Sequence, residues 1–281
     1  KGLETLWQPG TDHAGIATQA IVEKNLTKEG LNKNVLGREK FIQKVWKWKE
    51  ESGGIILDQL KKLGCSCDWS RTRFTMDKDL SKAVIKVFVD LYKKKLIFKD
   101  KKLVNWDTKL QTAISDLEVV QKDVQSHLYY IEYQIENSDK KITIATTRPE
   151  TMMGDTAIAV NPKDDRYKKF IGCNVKIPLV NRIIKIIADH YADPEQGSGA
   201  VKITPAHDFN DYDVGKRNKL EIINILDQDG TINNNGLKEF IGLDRFEARK
   251  LLIKKLKESG QLIKIESIKN KVPYGDRSNT I

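Results

Sequence analysis

The chain has 281 residues, of which 39% are hydrophobic, and a formal net charge of +10. That length accommodates two domains, or one domain with appendages. No apolar run approaches the roughly 18 residues of a membrane-spanning helix, so we expect no membrane partner. Three cysteines are too few for the disulfide framework of a secreted domain and fit a reducing compartment, so we expect a cytoplasmic protein.

Positive charge is concentrated in the first part of the chain. Residues 1–110 contain 23 Lys and Arg against 14 Asp and Glu, whereas residues 111–281 contain 26 against 25. Such a basic surface attracts a phosphate backbone, which favours contact with a nucleic acid. A solvated face in a lysine-rich protein explains the same excess, and composition leaves both interpretations open.

The first hundred residues have the periodicity of helices. Apolar side chains recur at helical spacing between residues 18 and 63, and again between residues 79 and 96. In the second of these segments we expect one apolar face to point inward: Leu80, Val84, Val87, Phe88 and Leu91.

After residue 116 the pattern changes to short runs rich in β-branched and aromatic residues. These runs predict strands at residues 127–136, 141–147, 156–160, 175–180, 183–188, 199–204 and 222–226. Helices are predicted at 208–218 and at 244–259, the second capped by Asp244 and ended by Gly260. Many short strands with few helices predict an α+β chain with a small β-barrel.

Two polar segments about fifty residues apart carry the candidate chemistry. The first is Thr146-Thr147-Arg148-Pro149-Glu150-Thr151, and the second covers residues 197–215. Each follows a strand-like run and combines small hydroxyl residues with charged side chains. Together they can surround a small, polar ligand that bears an amine.

Within the second segment, Asp208 and Asp211 lie three residues apart and can project from one side of a first helical turn. A carboxylate there can bind an ammonium group, although two acids at a helix N-terminus also complement the helix dipole. Lys202 and Thr204 alternate on a strand and share a face, which is either a ligand-binding face or an exposed one.

In the first segment, Arg148 can contact a phosphate or carbonyl oxygen and Thr151 can donate to a carbonyl; the alternative is a turn with a surface arginine. His207 next to Asp208 suggests a general base, but adjacent helical residues point apart and no nucleophile stands at a recognisable spacing. The four scattered histidines and three cysteines predict no metal site.

Four stretches resemble the class I aminoacyl-tRNA synthetases, and in particular their valyl branch. They are residues 7–19 (WQPGTDHAGIATQ), 46–77, 104–106 followed by 112–119, and 272–277. Isoleucyl and leucyl members carry a different sequence at the first stretch. The chain has neither the His-x-Gly-His nor the Lys-Met-Ser-Lys-Ser signature, and Asp107-Thr108-Lys109-Leu110 stands where relatives often carry a zinc-binding Cys-x-x-Cys.

The resemblance implies a fragment with three parts. Residues 1–118 are a mainly helical strip of the catalytic domain with a connector, 119–270 are a β-barrel-like editing domain with peripheral helices, and 271–281 return toward the catalytic domain. The fragment is expected to hydrolyse mischarged Thr-tRNA(Val) without a cofactor. It should not activate valine, because ATP and Mg belong to the full-length enzyme and require the remainder of the synthetase.

The same resemblance implies roles for individual residues. Asp211 anchors the substrate ammonium, and Lys202, Thr204 and Asp208 line the pocket for the amino-acid side chain. The threonine-rich loop, comprising Thr146, Thr147, Arg148 and Thr151, holds the ester and the terminal adenosine of the tRNA(Val) acceptor end.

Asp12 belongs to the other site of the family, near the substrate ammonium in the amino-acid pocket, although a turn or helix-cap aspartate explains it equally. Two alternative functions remain open on sequence alone. One is a tRNA-docking module without unaided turnover, and the other is an isoleucyl or leucyl editing domain, which residues 9–19 disfavour.

Overall fold

The computed structural model describes residues 2–281, which divide into two compact units at residue 100. The first unit is mainly helical. It contains, in order, β1 (Gly10–Thr11), α1 (Gly15–Lys28), α2 (Lys33–Leu36), α3 (Arg38–Lys62), β2 (Arg73–Phe74) and α4 (Lys78–Lys93). β1 pairs with β2 in parallel. The predicted helices are therefore present, divided at Gly30 and Gly37, which adopt positive φ angles.

The core of the first unit is small. Val22, Leu26 and Phe41 are buried, and Val45 and Trp48 pack against them. These residues recur at helical spacing on α1 and α3, so the apolar stripes predicted there do meet. Buried area is modest, which limits how much the hydrophobic effect stabilises this unit.

The prediction that α4 turns its apolar face inward is wrong. Val84 is 66% exposed and Phe88 is 61% exposed, and α4 has no buried residue. The periodicity of an amphipathic helix is clear, but no element within residues 2–100 covers the face. A sequence pattern shows which face of a helix is apolar, and it does not show whether a partner is present.

The second unit carries the strands. It contains β3 (Asn105–Asp107), β4 (Thr112–Ile114), β5 (Val119–Ile135), β6 (Lys141–Thr146), β7 (Ala157–Val160), β8 (Asn174–Lys176), β9 (Ile183–Ala188), β10 (Ala200–Ile203), α5 (Phe209–Asn218), α6 (Arg245–Glu258) and β11 (Leu262–Gly275). Short 3-10 helices lie at Asp116–Glu118, Pro149–Gly154 and Lys168–Phe170 in this unit, and at Trp69–Arg71 in the first unit.

Seven of these strands form one sheet in the order β10-β7-β9-β8-β5-β11, with β6 also paired to β5. The predicted α+β class is confirmed. The sheet is open and does not form a closed barrel: β6 and β10 lie beside each other without a hydrogen-bonded ladder. Their carboxyl ends, Thr146 and Ile203, bring the two polar segments of the sequence to the same edge.

The core of the second unit lies between the sheet and α6. Inward-facing residues of β5 and β6 alternate with outward ones, and Ile131, Tyr133, Ile142 and Ile144 are completely buried. From α6, Ala248, Leu252 and Leu256 pack against them at helical spacing.

The strand predicted at 222–226 is absent; only an isolated bridge joins Leu226 to Ile232. Side-chain amides take the place of a partner strand there. The Asn233 and Asn235 amides donate to the Asn224 carbonyl oxygen, and Leu226 N donates to Asn224 Oδ1. Within residues 2–281 no helix is both long and apolar enough to cross a membrane.

The cap of α6 provides a test of this fold. Asp244 Oδ1 accepts a hydrogen bond of 2.8 Å from Phe246 N, as the sequence predicts for an N-cap. We expect Asp244→Ala to lower the free energy of unfolding by about 0.5–2 kcal/mol, because a backbone donor loses its partner. Urea unfolding followed by circular dichroism measures this change.

Glu247→Ala is the matched control, since Glu247 lies in the same first turn and is exposed. It should change the free energy of unfolding by less than about 0.5 kcal/mol. Equal losses in the two variants would show that charge near the helix end, and not the cap hydrogen bond, stabilises α6.

Candidate functional site

The two polar segments meet at the edge of the sheet where β6 and β10 end. The Arg148 side chain spans them, because its Nη1 donates to the carbonyl oxygen of His207 at 2.7 Å. Gly154 permits the backbone to approach Thr204 and Ile223 closely, because a Cβ there would lie 3.1 Å from Thr204 Cγ2 and 2.9 Å from the Ile223 carbonyl oxygen. The structure therefore brings together the two sets of residues that the sequence predicts as one site.

A buried carboxylate, Asp155, lies at the centre of this site. Its residue is 0% exposed. Tyr133 Oη donates to Oδ2 at 2.7 Å, while Thr204 Oγ1 donates to Oδ1 at 2.7 Å and Lys202 Nζ at 3.0 Å. Burial raises the pKa of Asp155, and the Lys202 ammonium and the hydroxyl donors oppose that shift.

Sequence reasoning missed Asp155 and Tyr133. A weak signal was available, because Asp155 lies two residues before the apolar run of β7, a place where a charge needs a partner. Tyr133 shares a face of β5 with the buried Ile131 and Ile135, which places its hydroxyl on the inner face of the sheet.

Lys202 and Thr204 share a face, as predicted, and that face is buried. Lys202 is 6% exposed and Thr204 1% exposed, so the alternative of an exposed strand face is wrong. Lys202 Nζ also donates a short hydrogen bond to Thr204 Oγ1.

The two acids of the second segment have different environments. Asp208 is exposed and is the N-cap of α5, where its Oδ1 accepts from Asn210 N at 2.8 Å and Asp211 N at 3.2 Å. Asp211 lies in the first turn of α5 and is 6% exposed. Its Oδ2 accepts from Thr204 N at 2.9 Å, so it reaches back toward β10. Asp208 therefore caps α5, and Asp211 lies beside Thr204.

The titration of Asp211 is displaced toward neutral pH. Burial raises its pKa to about 6, against the opposing effects of the Lys202 ammonium and the Thr204 N–H, with Asp208 and Asp155 adding to the rise. Because burial disfavours the ionised form of Asp211, a nearby cation would stabilise that form. A ligand ammonium group could supply this positive charge.

The threonine-rich loop is tightly organised. Thr146 Oγ1 accepts from Arg148 N at 3.1 Å, and Thr151 Oγ1 donates to the Arg148 carbonyl oxygen at 2.9 Å. The Thr151 hydroxyl proton is thus committed within the turn, which leaves its lone pairs but no free donor. Thr147 and Arg148 are partly exposed next to it, and both can reach a ligand.

A second buried carboxylate, within the loop itself, anchors the loop to α6. Glu150 is 1% exposed and receives two hydrogen bonds of 2.7 Å from Arg249 on α6, through Nε and Nη2. Arg148 Nε lies 3.7 Å from the same carboxylate. A bidentate arginine–carboxylate pair fixes geometry as well as charge, so α6 orients the loop.

His207 holds the backbone together and is poorly suited to a general base. Its Nε2 accepts a hydrogen bond of 3.0 Å from Ile225 N, which occupies the nitrogen that would take a proton. Burial, together with the nearby Arg148 and Lys202 charges, lowers its pKa to about 3. The histidine side chain and carbonyl therefore tie the 205–208 loop to Ile225 and to Arg148.

Asp12 lies in the first unit and is exposed. Its Oδ1 is 3.6 Å from His13 Nδ1, and the backbone N–H of His13 donates to Thr75 Oγ1 at 2.9 Å. Nothing within residues 2–100 encloses Asp12 as a ligand anchor. Within residues 2–281 there is no group of three or more His, Cys, Asp or Glu side chains placed to hold a metal ion.

The arrangement combines three kinds of group within one small region. These are the Asp211 carboxylate, whose pKa is about 6, the buried Lys202–Thr204 pair and the partly exposed guanidinium of Arg148. Such a set can bind a ligand that carries an ammonium group, a hydroxyl side chain and a polar ester or phosphate.

Comparison with known proteins agrees with the sequence resemblance. Valine--tRNA ligase of Pelagibacter ubique is 72% identical over 99% of this chain, that of Zymomonas mobilis 56% over 99%, and that of Francisella tularensis 55% over 100%. The chain spans about a third of the length of these relatives, 32%, 32% and 30% respectively.

A solved leucyl-tRNA synthetase of Agrobacterium radiobacter K84, in a ternary complex, has a TM-score of 0.42 and 21% identity, covering 89% of this chain and 38% of that one. The family of tRNA synthetases class I (I, L, M and V) matches residues 1–266. With that match over nearly the whole chain, the protein belongs to the class I tRNA synthetases of this group, and the valine--tRNA ligases are its relatives within it.

Proposed function

We propose that this chain carries the editing site of a valine--tRNA ligase, which hydrolyses the ester of threonine wrongly attached to tRNA(Val). The observation that carries the proposal is the buried Lys202–Thr204 pair beside the Asp211 carboxylate. It supplies partners for a hydroxyl side chain and for an ammonium group. The relatives of this chain are named valine--tRNA ligases, which makes a valyl substrate set the natural one.

The similarity of valine and threonine explains why a synthetase needs an editing site in addition to its amino-acid pocket. Valine and threonine are nearly isosteric, and it is established for valyl-tRNA synthetases that a hydrophobic pocket rejects threonine only weakly. A polar site inverts the selection, because its buried groups lose a hydrogen bond when valine enters. Hydrolysis of an aminoacyl ester needs only a positioned water and stabilised charge, so we infer that it requires no nucleotide and no metal.

Each group has a proposed role. Asp211 binds the substrate ammonium, and Lys202 and Thr204 contact the side-chain hydroxyl, with Asp208 at the rim of the pocket. Arg148, Thr146, Thr147 and Thr151 hold the ester and the terminal adenosine. We propose that the ribose hydroxyl of the substrate tRNA positions the attacking water, since His207 Nε2 already accepts a hydrogen bond from Ile225 N.

The remainder of the synthetase belongs in this proposal too. Activation of valine with ATP and Mg, and the Asp12 contact to the amino acid, are assigned to the full-length enzyme. Charging and editing would then take place on the same tRNA in the cytoplasm.

A second candidate is a tRNA-docking module without unaided turnover. The charge excess of residues 1–110 favours it, since 23 basic against 14 acidic side chains attract a phosphate backbone. Filter binding of tRNA(Val) alongside the deacylation assay separates the two functions. An isoleucyl or leucyl editing domain is disfavoured by the relatives, which are valine--tRNA ligases.

The central test is deacylation by the purified chain. We expect Thr-tRNA(Val) to be hydrolysed faster than Val-tRNA(Val), and Asp211→Asn to slow the reaction about ten- to a hundred-fold, because a charge-assisted hydrogen bond to the ammonium is lost. Release of labelled amino acid over time measures both rates.

Asp213→Asn is the matched control, because Asp213 lies on the same helix and is exposed. It should hydrolyse Thr-tRNA(Val) like the parent chain. Binding of tRNA(Val) with no deacylation in the parent would favour the docking module instead.

Selectivity should depend on one group of residues and overall rate on another. We expect Thr204→Val to lower the preference for Thr-tRNA(Val) over Val-tRNA(Val) by roughly two- to ten-fold, since it removes a hydroxyl that valine cannot use. Arg148→Ala should slow both substrates by similar factors, because the ester and adenosine are common to them.

These rates are compared as kcat/KM for the two substrates, with thermal melts to confirm folding. The reverse pattern, in which Arg148→Ala changes the ratio and Thr204→Val only the rate, would falsify this division of roles.

The raised pKa of Asp211 predicts two opposite pH dependences. Deacylation, as kcat/KM, should rise as pH increases through about 6, because only the carboxylate binds an ammonium. The contribution of Asp211 to the free energy of unfolding should instead fall as pH increases. The folded pKa exceeds the unfolded value, so the contribution of Asp211 is complete below about pH 4 and is lost as pH rises through 6.

Asp211→Asn therefore should melt at a higher temperature than the parent at pH 7 and at a similar temperature near pH 4. The size of the effect is on the order of 3 kcal/mol or less. Uncatalysed ester hydrolysis also increases with pH, and the rate with Asp211→Asn provides the baseline to subtract. A lower melting temperature for this variant at pH 7 would contradict the assignment.

A further inference from the structure

Two arginines converge on one buried carboxylate in the threonine-rich loop. Arg249 of α6 donates to Glu150 through Nε to Oε2 and through Nη2 to Oε1, each at 2.7 Å. Arg148 Nε lies 3.7 Å from the same Oε1. Because both guanidinium groups approach a single carboxylate oxygen, they lie close to each other, and one negative charge faces two positive charges.

A third arginine adds to this excess of positive charge. Arg245 lies in the first turn of α6, and its Nη1 is 4.0 Å from Asp244 Oδ2. Burial lowers the pKa of Arg245, and Asp244 opposes that shift. The charges of Arg148 and Arg249 lower this pKa further, so each guanidinium lies within the field of the others. An anion bound among them would relieve this repulsion.

The unused N–H groups of the Arg148–Arg249 pair are accessible. Arg148 uses Nη1 for the His207 carbonyl oxygen, and Arg249 uses Nε and Nη2 for Glu150. Within residues 2–281, Arg148 Nη2 and Arg249 Nη1 have no hydrogen-bond acceptor, and neither nitrogen is buried. The Arg148 side chain is 43% exposed and that of Arg249 is 23% exposed. The pair therefore presents donors and positive charge to solvent.

The Arg249 guanidinium is held in place without a ligand. Glu150 binds the edge formed by Nε and Nη2, and the Phe246 ring centroid lies 5.4 Å from Arg249 Cζ. The same ring also contacts Arg245, whose Cζ is 4.6 Å away. The second edge of the Arg249 guanidinium, formed by Nη1 and Nη2, is left as a fork that matches two oxygens of a phosphate group.

We propose that Arg148 and Arg249 form a phosphodiester-binding subsite for the phosphate on the 5′ side of the terminal adenosine of a tRNA, with Glu150 as the positioning residue. This inference rests on the proposed editing function and adds a further part of the substrate to it. The threonine-rich loop is assigned there to the ester and the adenosine, and the 5′ phosphate is the anion of that nucleotide. Its single negative charge balances the guanidinium that Glu150 leaves unneutralised.

The experiment measures binding of two probes to this chain by calorimetry at low ionic strength. Both are 3′-deoxyadenosine derivatives that carry L-threonine through a 3′-amide. One has a free 5′-hydroxyl, and the other has a 5′-phosphate methyl diester. The parent chain should bind the diester about ten-fold more tightly or better, because charge-assisted hydrogen bonds to the phosphate form. A parental ratio of about two-fold or less overturns the inference without any variant.

Arg249→Gln should reduce this ratio to about three-fold or less, and Arg249→Lys should give an intermediate ratio, because it keeps the charge and loses the fork. Lys250→Gln is the matched control: it removes a positive charge from the next residue of the same helix, where Lys250 is exposed and pairs with Glu247. Its ratio should stay within about two-fold of the parental one, since exposed charges are screened. Equal losses in Arg249→Gln and Lys250→Gln overturn the inference, because they indicate general attraction and no subsite.

A double variant covers the case in which Arg249→Gln does not fold, since that substitution leaves the buried Glu150 without its partner. Glu150→Gln combined with Arg249→Gln removes both charges and has the same net charge as the parent chain. We expect it to show the same low ratio, with thermal melts to confirm folding. A parental ratio in either folded variant overturns the inference.

Failure of the underlying function has a different signature. If the parent binds neither probe and does not deacylate Thr-tRNA(Val), the proposed function is wrong and this inference falls with it. If the parent deacylates Thr-tRNA(Val) and binds the two probes with equal affinity, only the inference fails.

Discussion

A carboxylate removed from water must be surrounded by donors, and Asp155 imposes this constraint on the second unit. Its partners come from β5, from β10 and from the residue that follows β10, so one group ties three parts of the chain together. Removing one partner of a buried charge typically costs about 3–5 kcal/mol, which makes the arrangement nearly obligatory once Asp155 is inside. The position of Lys202 and Thr204 follows from it.

The neighbouring groups are arranged in relation to that centre. Thr204 uses its side chain for Asp155 and its backbone N–H for Asp211, so a single residue links the buried network to the carboxylate that faces the site. Glu150 and Arg249 then fix the opposing loop from α6. The site is thus built on side chains that are themselves held by second partners, which is what accurate positioning requires.

Much of the second unit could be predicted from its sequence because its strands have local signatures. The strand at 183–188 has the same bounds in the structure, and Asp244 is the predicted cap. The first eight residues of β5, 119–126, were not predicted, because most of them are polar and they pair only with β11, far along the chain. Propensity is a local quantity and does not contain such pairings.

The site, like the fold, could be predicted from the sequence only in part. The Lys202–Thr204 face follows from the period of a strand, but its burial does not, since a polar face normally points to solvent. Asp208 and Asp211 look equivalent in sequence, and only the start of α5 distinguishes the cap from the inward carboxylate. Asp155 was missed because its partners lie 22, 47 and 49 residues away.

The pairing of β5 with β11 has a consequence for how the second unit folds. Its outermost pair, Val119 with Gly275, joins residues about 150 positions apart, so closing this ribbon carries a large loop entropy cost unless the intervening chain is already compact. The hairpin of β5 with β6 is local by comparison. Folding should therefore begin within the sheet, and the ribbon should zip from the Leu262 end toward Gly275, with its last pairs the first to open in the native state.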